Sequence, residues 1–211
     1  METEIEKYCI EHSSEESSLL KELTRQTHLN VLNPRMLSGH FQGLFLEMIV
    51  AMLKPKRILE IGTYTGYSGL CLAKHLGNDC ILHTIEINDE VAFFAKSFFD
   101  KSEYGHKIIS HVGDAVSVIS TIDEMFDLVF MDGNKRDYVK YYDTIFDKVP
   151  SGGFIIADNV LWDGHVLDSD KVQKDAQTKG IFEFNELIKN DSRVEKLMIP
   201  LRDGLLMIRK I

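Results

Sequence analysis

Asp127-Leu128-Val129-Phe130-Met131-Asp132-Gly133-Asn134-Lys135 and Phe154-Ile155-Ile156-Ala157-Asp158-Asn159 are two short apolar runs that each end in acid. Runs of this length, closed by polar turn residues, read as buried strands. In a parallel sheet their carboxyl ends open on the same rim, where ligands bind. Asp132, Asp158 and Asn159 then bring three hard oxygen donors to one point, a set suited to Mg²⁺ or Ca²⁺. Lys135 follows closely behind, placed to serve as a base.

Working outward, further apolar runs lie at 57–61, 80–86 and 107–112, which with 127–132 and 153–158 give five strands. Helical patterns separate them at 66–76, 89–103, 115–121 and 137–148. This alternation predicts a doubly wound, Rossmann-like α/β fold with helices on both faces of the sheet. The carboxyl-terminal part departs from it. Residues 171–190 read as one long helix, and 194–200 and 204–210 as strands joined through Arg202-Asp203-Gly204. Such a hairpin would complete a seven-stranded sheet antiparallel to its neighbours.

Ahead of the first strand, 2–12 and 15–28 read as polar-faced helices, the second capped by Ser13 or Ser14. Asn33-Pro34 breaks the chain, and a helix over 39–53 carries Phe41, Leu44, Phe45, Met48 and Met52 at helical spacing. The whole chain, 1–211, is expected to be one domain: a helical extension over 1–40 and a core over 41–211. The extension belongs to no βα unit. It either covers the sheet, contributes to a lid, or packs against a second subunit.

The 211 residues are 44% hydrophobic, enough for one good core. A formal net charge of −9 repels phosphate backbones and argues against nucleic acid as a general partner. No apolar stretch was expected to reach the roughly 18 residues that span a bilayer, and the amino terminus is too acidic and polar for a signal peptide. Cys9, Cys71 and Cys80 show no metal-type spacing, and read as free thiols in a reducing cytoplasm. His28, His40 and His165 read as surface or supporting groups rather than zinc ligands. Phe93, Phe94, Phe98 and Phe99 read as core against the sheet.

Glu60-Ile61-Gly62-Thr63-Tyr64-Thr65-Gly66 ends the first strand and opens a helix. Small residues there let backbone approach a ligand, and the helix start presents free N–H groups. The spacing is not the G-x-G-x-x-G dinucleotide fingerprint. Glu60 would repel a pyrophosphate and suits a cofactor with a cationic centre or amino group, such as S-adenosylmethionine (SAM). Taken alone, the glycine pair is equally well a tight βα turn. Glu86, at the end of the second strand, stands where an acid takes ribose hydroxyls and tips the balance towards a cofactor. Gly113-Asp114-Ala115 would frame the adenine.

With these residues in place, the chain resembles the cation-dependent class I SAM O-methyltransferases, the caffeoyl-CoA and catechol O-methyltransferase-like family. The matching stretches are MLSGHFQGLFLEMI (36–49), LEIGTYTGYS (59–68), IEIN (85–88), GDA (113–115), FMDGNKRDY (130–138), ADNVLWDG (157–164) and PLRDGL (200–205). The resemblance implies that Ser38, Glu60, Gly62, Thr63, Tyr64, Ser68, Glu86, Ala115 and Asp132 bind SAM. It implies Asp132, Asp158 and Asn159 as metal ligands, Mg²⁺ first with Ca²⁺ or Mn²⁺ as alternatives. Lys135, with Asp132, would be catalytic, and Met36, Lys135, Trp162 and Asp163 would face the acceptor. The chain departs from the family pattern at Gly133-Asn134, and at Asp163, where many acyl-CoA-using members have asparagine.

The expected reaction is methyl transfer to a hydroxyl of a small vicinal dihydroxy aromatic. The cation would lower the phenol pKa from about 10, and Lys135 would take the proton if a nearby cation depressed its own pKa. Trp162 either stacks on the acceptor or adenine or covers a core edge. Alternatives are an RNA hydroxyl methyltransferase, a catalytically silent SAM-binding module, and a nicotinamide oxidoreductase. The partners expected are a small aromatic substrate and a second copy of the chain, in a cytoplasmic protein that engages neither membrane nor nucleic acid.

Overall fold

The apolar runs form the sheet. In the computed structural model, which describes residues 4–211, the strands are β1 (Arg57–Ile61), β2 (Ile81–Glu86), β3 (Ile108–Val112), β4 (Leu128–Met131), β5 (Phe154–Asp158), β6 (Val194–Ile199) and β7 (Leu205–Lys210). They make one seven-stranded sheet in the order β3-β2-β1-β4-β5-β7-β6. The first five strands are mutually parallel, and β7 runs antiparallel to both β5 and β6. The strand order reverses direction between β1 and β4, so the loops after these two strands diverge and leave a crevice between them.

The helices are α1 (Glu4–Glu11), α2 (Ser18–Asn30), α3 (Gly39–Leu53), α4 (Tyr67–Lys74), α5 (Asp89–Phe99), α6 (Ala115–Thr121), α7 (Tyr138–Phe146), α8 (Ser169–Lys174) and α9 (Ala176–Asn190). Side chains alternate across a strand, and both faces of this sheet are apolar. Leu59, Ile61, Val129, Met131 and Ile155 pack with α6, α7 and α9, where Tyr138, Tyr142 and Phe184 are fully buried. Ile58, Leu128, Phe130 and Ile156 pack with α2, α3, α4 and α5.

Several elements differ from their sequence-based expectation. The expected helix over 2–12 is described from Glu4, and residues 1–3 lie outside the described residues. Ser17, not Ser13 or Ser14, caps α2, accepting the Leu20 N–H at 3.3 Å. The expected helix over 171–190 is two helices. Asp175 closes α8 and caps α9, its carboxylate taking the Thr178 N–H at 2.8 Å and hydroxyl at 2.6 Å. A side chain that satisfies the first-turn donors restarts a helix in a new direction. Phe98 and Phe99 are core, whereas Phe93 is 78% exposed.

The orientation of α3 is the most consequential difference. Its buried face is Gln42, Gly43, Leu46, Glu47, Ile49 and Val50, while Met48 and Met52 are exposed. The cause is close packing: a Cβ at position 43 would sit 2.8 Å from both Cys71 Sγ and Tyr67 Cε1. The glycine lets α3 press on α4 and carries two polar neighbours inward. Glu47 is matched there by Lys74 at 2.7 Å. Contrary to expectation, Pro34–Leu53 is apolar enough by length and composition to cross a bilayer, with mean hydropathy 1.4. It lies instead against α4 and the sheet as a core helix.

The amino-terminal segment covers the sheet and reaches the crevice. Leu20 and Leu23 of α2 enter the core, and the Thr27 hydroxyl donates to Thr65 Oγ1 at 3.1 Å. The Tyr64 hydroxyl holds the following loop by donating to Leu32 O at 2.9 Å.

Candidate active site

Gly62 follows β1 at the switch point with φ 99°, and an added Cβ would collide with the carbonyl of Asp132 after β4. Only a residue without a Cβ allows the two loops to touch. The Asp132 N–H donates to Ile61 O at 2.8 Å, and the Gly62 and Thr63 N–H groups donate to Ile85 O at 3.0 and 3.2 Å. These bonds fix the ends of β1, β2 and β4 around a cavity of about 650 Å³.

Met36, Ser38, Gly62, Tyr64, Glu86, Ala115, Asp132, Lys135, Asp158, Asn159 and Trp162 all line this cavity, together with Gly113 and Asp114. Asp163 lines a neighbouring cavity of about 760 Å³, and Trp162 lines both. Glu60, Thr63 and Ser68 do not line the cavity. Period-two alternation points Glu60 to the face of Ile58, beneath α4. There Glu60 accepts the Thr84 hydroxyl at 2.5 Å, and Thr63 Oγ1 lies 2.5 Å from Thr84 Oγ1. Ser68 lies beside the Glu60 carboxyl and helps to hold its pKa down. The trio lies behind the loop and braces it, outside the residues that line the cavity.

Glu60 is nevertheless an unusual brace. It is fully buried, its Oε1 has no hydrogen-bond partner, and burial pushes its carboxyl up to about 7. Asp132 and Glu86 lie close enough to add repulsion. A buried unpaired carboxylate oxygen beside two other acids fits a ligand that brings positive charge. On the wall itself, Glu86 takes the Tyr64 N–H at 2.8 Å and the Asn88 N–H at 3.0 Å. Its carboxylate is thereby oriented, with lone pairs left for a polyol. These features, with the glycine cradle, fit the sulfonium, amino group and ribose of SAM.

At the other end stand the acids. Asp158 is 3% exposed. Its Oδ1 takes the Asn159 N–H at 2.7 Å, and its Oδ2 takes Gln42 Nε2–H at 2.6 Å. Burial, and then the Asp132 charge, push its carboxyl up. Asn159 adopts φ 57°, the left-handed conformation that asparagine tolerates better than most residues. Among the described residues no group of three or more His, Cys, Asp or Glu is placed to hold a metal. The set here is two aspartates and an amide oxygen, hard donors that fit a hard divalent cation.

Lys135 is buried, and its ammonium is ion-paired with Asp132 and donates to the Tyr138 hydroxyl at 2.9 Å. The Tyr138 hydroxyl in turn donates to Asp158 O at 2.9 Å. Burial works against the charge on Lys135, but Asp132, Tyr138 and Asp158 outweigh it, so its pKa lies above the usual lysine value. A depressed pKa was expected from a nearby cation; with the carboxylates alone the direction is the reverse. Tyr138 is thus a hydrogen-bonding support for Lys135. Gln42 and Arg202 were not foreseen as supports. Gln42 carries no pattern signal, being a single amide between Phe41 and the apolar run Leu44–Leu46.

Comparison with known proteins agrees with this architecture. The O-methyltransferase family matches residues 10–211. A caffeoyl-CoA O-methyltransferase of Petroselinum crispum is 32% identical over 206 residues, covering 93% of this chain and 85% of that protein. The O-methyltransferase of Bacillus cereus, solved in complex with SAH, superposes with a TM-score of 0.91 at 27% identity, covering 99% of this chain and 98% of that one. TomG of Streptomyces achromogenes, involved in tomaymycin synthesis and solved in complex with SAM, gives a TM-score of 0.89 at 28% identity, covering 98% and 95%.

Proposed function

Because the chain belongs to the O-methyltransferase family and shares its fold with members solved with SAM or SAH, we propose that it methylates one hydroxyl of a small vicinal dihydroxy aromatic with the help of a divalent cation. The observation that carries this reading is the gathering of Asp132, Asp158, Asn159 and Lys135 with Gly62 and Glu86 around one switch-point cavity. Asp132, Asp158 and Asn159 would hold the cation, Mg²⁺ in the first instance. When bound, it supplies Lewis acidity that lowers the pKa of an acceptor hydroxyl.

The chain's own residues do the rest. Glu86 fixes the ribose end of the methyl donor, and Gly62 admits it against the backbone. Ser38 and Ala115 close its two sides. Glu60 reinforces the loop and supplies negative charge behind it. Met36 and Trp162 offer apolar and aromatic surface to a flat acceptor, with Asp163 at the outer edge. Lys135 Nζ manages the proton of the acceptor hydroxyl from its place between Asp132 and Tyr138. Holding the two substrates in line supplies much of the acceleration.

The acceptor class is tested with paired phenols. Catechol-type acceptors should be methylated at least ~10²-fold faster than their monohydroxy counterparts, since two adjacent oxygens are needed to chelate. Equal rates on the two series would remove the vicinal requirement.

We also propose that the chain forms a homodimer through its amino-terminal helices. Tyr8, Leu29, Leu32, Met48 and Met52 are exposed on α1, α2, the loop after α2, and α3, leaving large apolar side chains for a partner to cover. Sedimentation equilibrium should give twice the chain mass, and Met48→Glu with Met52→Glu should shift it to the monomer. A monomeric wild type at micromolar concentration would refute this.

A further inference from the structure

We propose that Gln42, held by Arg202, is a positioning residue that fixes the Asp158 carboxylate for metal ligation. The inference rests on the metal reading above and adds a residue on α3 and one on the terminal hairpin turn. Gln42 is 1% exposed on a face shared with Gly43, Leu46, Glu47, Ile49 and Val50. Burying an amide is costly unless both of its ends are hydrogen-bonded. Here both are. Nε2–H donates to Asp158 Oδ2 at 2.6 Å, and Oε1 accepts from Arg202 Nη1 at 3.3 Å.

The chemistry of the partners sets the polarity of this relay. A guanidinium can only donate and an ionised carboxylate can only accept. The amide therefore cannot turn over without setting oxygen against oxygen and nitrogen against nitrogen. Arg202 is itself anchored, its Nη1 also donating to Leu37 O at 3.2 Å. With Gln42 on Oδ2 and the Asn159 N–H on Oδ1, each Asp158 oxygen has one fixed donor. The carboxylate plane is locked and each oxygen keeps a lone pair for a cation. A neutral amide does this without placing another cationic side chain on the carboxylate, where it would compete with the metal. Donors that orient a ligating carboxylate commonly contribute 10–100-fold to metal affinity.

The test is binding of Mn²⁺ alone, followed by electron paramagnetic resonance, to wild type, Gln42→Met and Arg202→Met. Methionine keeps the length of glutamine and removes the amide. We expect the Mn²⁺ Kd to rise about 10–100-fold in Gln42→Met and about 3–10-fold in Arg202→Met, where the amide stays but loses its anchor. SAM affinity should stay within about 2-fold in Gln42→Met, since Gln42 does not line the cavity. In turnover, the metal concentration for half-maximal rate should rise by the same factor, with kcat at saturating metal within about 3-fold. Wild-type binding that both variants leave unchanged overturns the inference alone. A wild type that binds no Mn²⁺ overturns the metal reading and the inference with it. Arg202→Met guards against misfolding of the core variant, because Arg202 is an exposed residue of the hairpin turn.

Discussion

Asp158→Ala is expected to lower kcat/KM for a catechol acceptor by at least ~10³-fold, the loss of several kcal/mol of Lewis-acid stabilisation. SAM affinity should change only a few-fold, because Gly62 and Glu86 are untouched. The substitution acts twice. It removes a buried oxygen donor, and it strands the Gln42 amide, whose partner was Asp158 Oδ2. An unpaired buried donor costs roughly 1–3 kcal/mol, offset in part because the repulsion between Asp158 and Asp132 also disappears. Asp158→Asn separates the two effects. It preserves shape while removing the charge, and its one amide oxygen can still accept from either Gln42 Nε2–H or the Asn159 N–H but not both, so it should cost less stability than alanine and still lose the rate. A near-normal rate in Asp158→Asn would show that no cation is held there.

Lys135→Met is expected to lower kcat/KM by ~10²–10⁴-fold at pH 7, the range of a positioned proton-transfer group. The loss should shrink as pH rises, because an acceptor phenol that titrates near ~10 then ionises without help. The structure sets the sign. In the absence of a cation the Lys135 ammonium is held by Asp132 and by the Tyr138 hydroxyl, and its pKa is raised. If the wild type carried this raised value into turnover, Lys135 would act as a fixed charge. The deficit in Lys135→Met would then be independent of pH. Tyr138→Phe gives a second check, since it removes the Lys135 partner at 2.9 Å without removing the amine. A rate within about 3-fold of wild type for Lys135→Met at pH 7 would exclude it from the chemistry.

Much of this arrangement can be read from the chain. The rhythm of apolar runs placed all seven strands within a residue or two of where they form. The turn at Arg202-Asp203-Gly204 implied the reversed strand, and left-handed φ values of 50° and 87° at Arg202 and Gly204 show why it turns there. Asp132, Asp158 and Asn159 meet at one rim because they end parallel neighbours, β4 and β5, in register.

What was not legible has physical causes. Glu60 was read as a cofactor contact without its surroundings: alternation along β1 turns it away from Leu59 and Ile61, and the hydroxyl of Thr84 that it accepts comes from the neighbouring strand, which no local motif shows. Gln42 was invisible because hydropathy ranks a buried, fully bonded amide as a surface residue. The direction of α3 depended on one close contact, Gly43 against Cys71 and Tyr67, which no pattern along the helix reveals. The break at Asp175 needed the knowledge that one carboxylate serves both ends, since the helical periodicity runs through it.

The central claim is that methyl transfer here depends on a cation held by Asp132, Asp158 and Asn159. The most direct measurement is transfer from SAM to a catechol by the wild type, first with Mg²⁺ and then with EDTA, with Mg²⁺ restored at the end. We predict that EDTA abolishes transfer, that Mg²⁺ restores it, and that SAM binding persists throughout. Transfer that continues undiminished in EDTA would contradict the metal role and leave a methyltransferase that works by proximity and Lys135 alone.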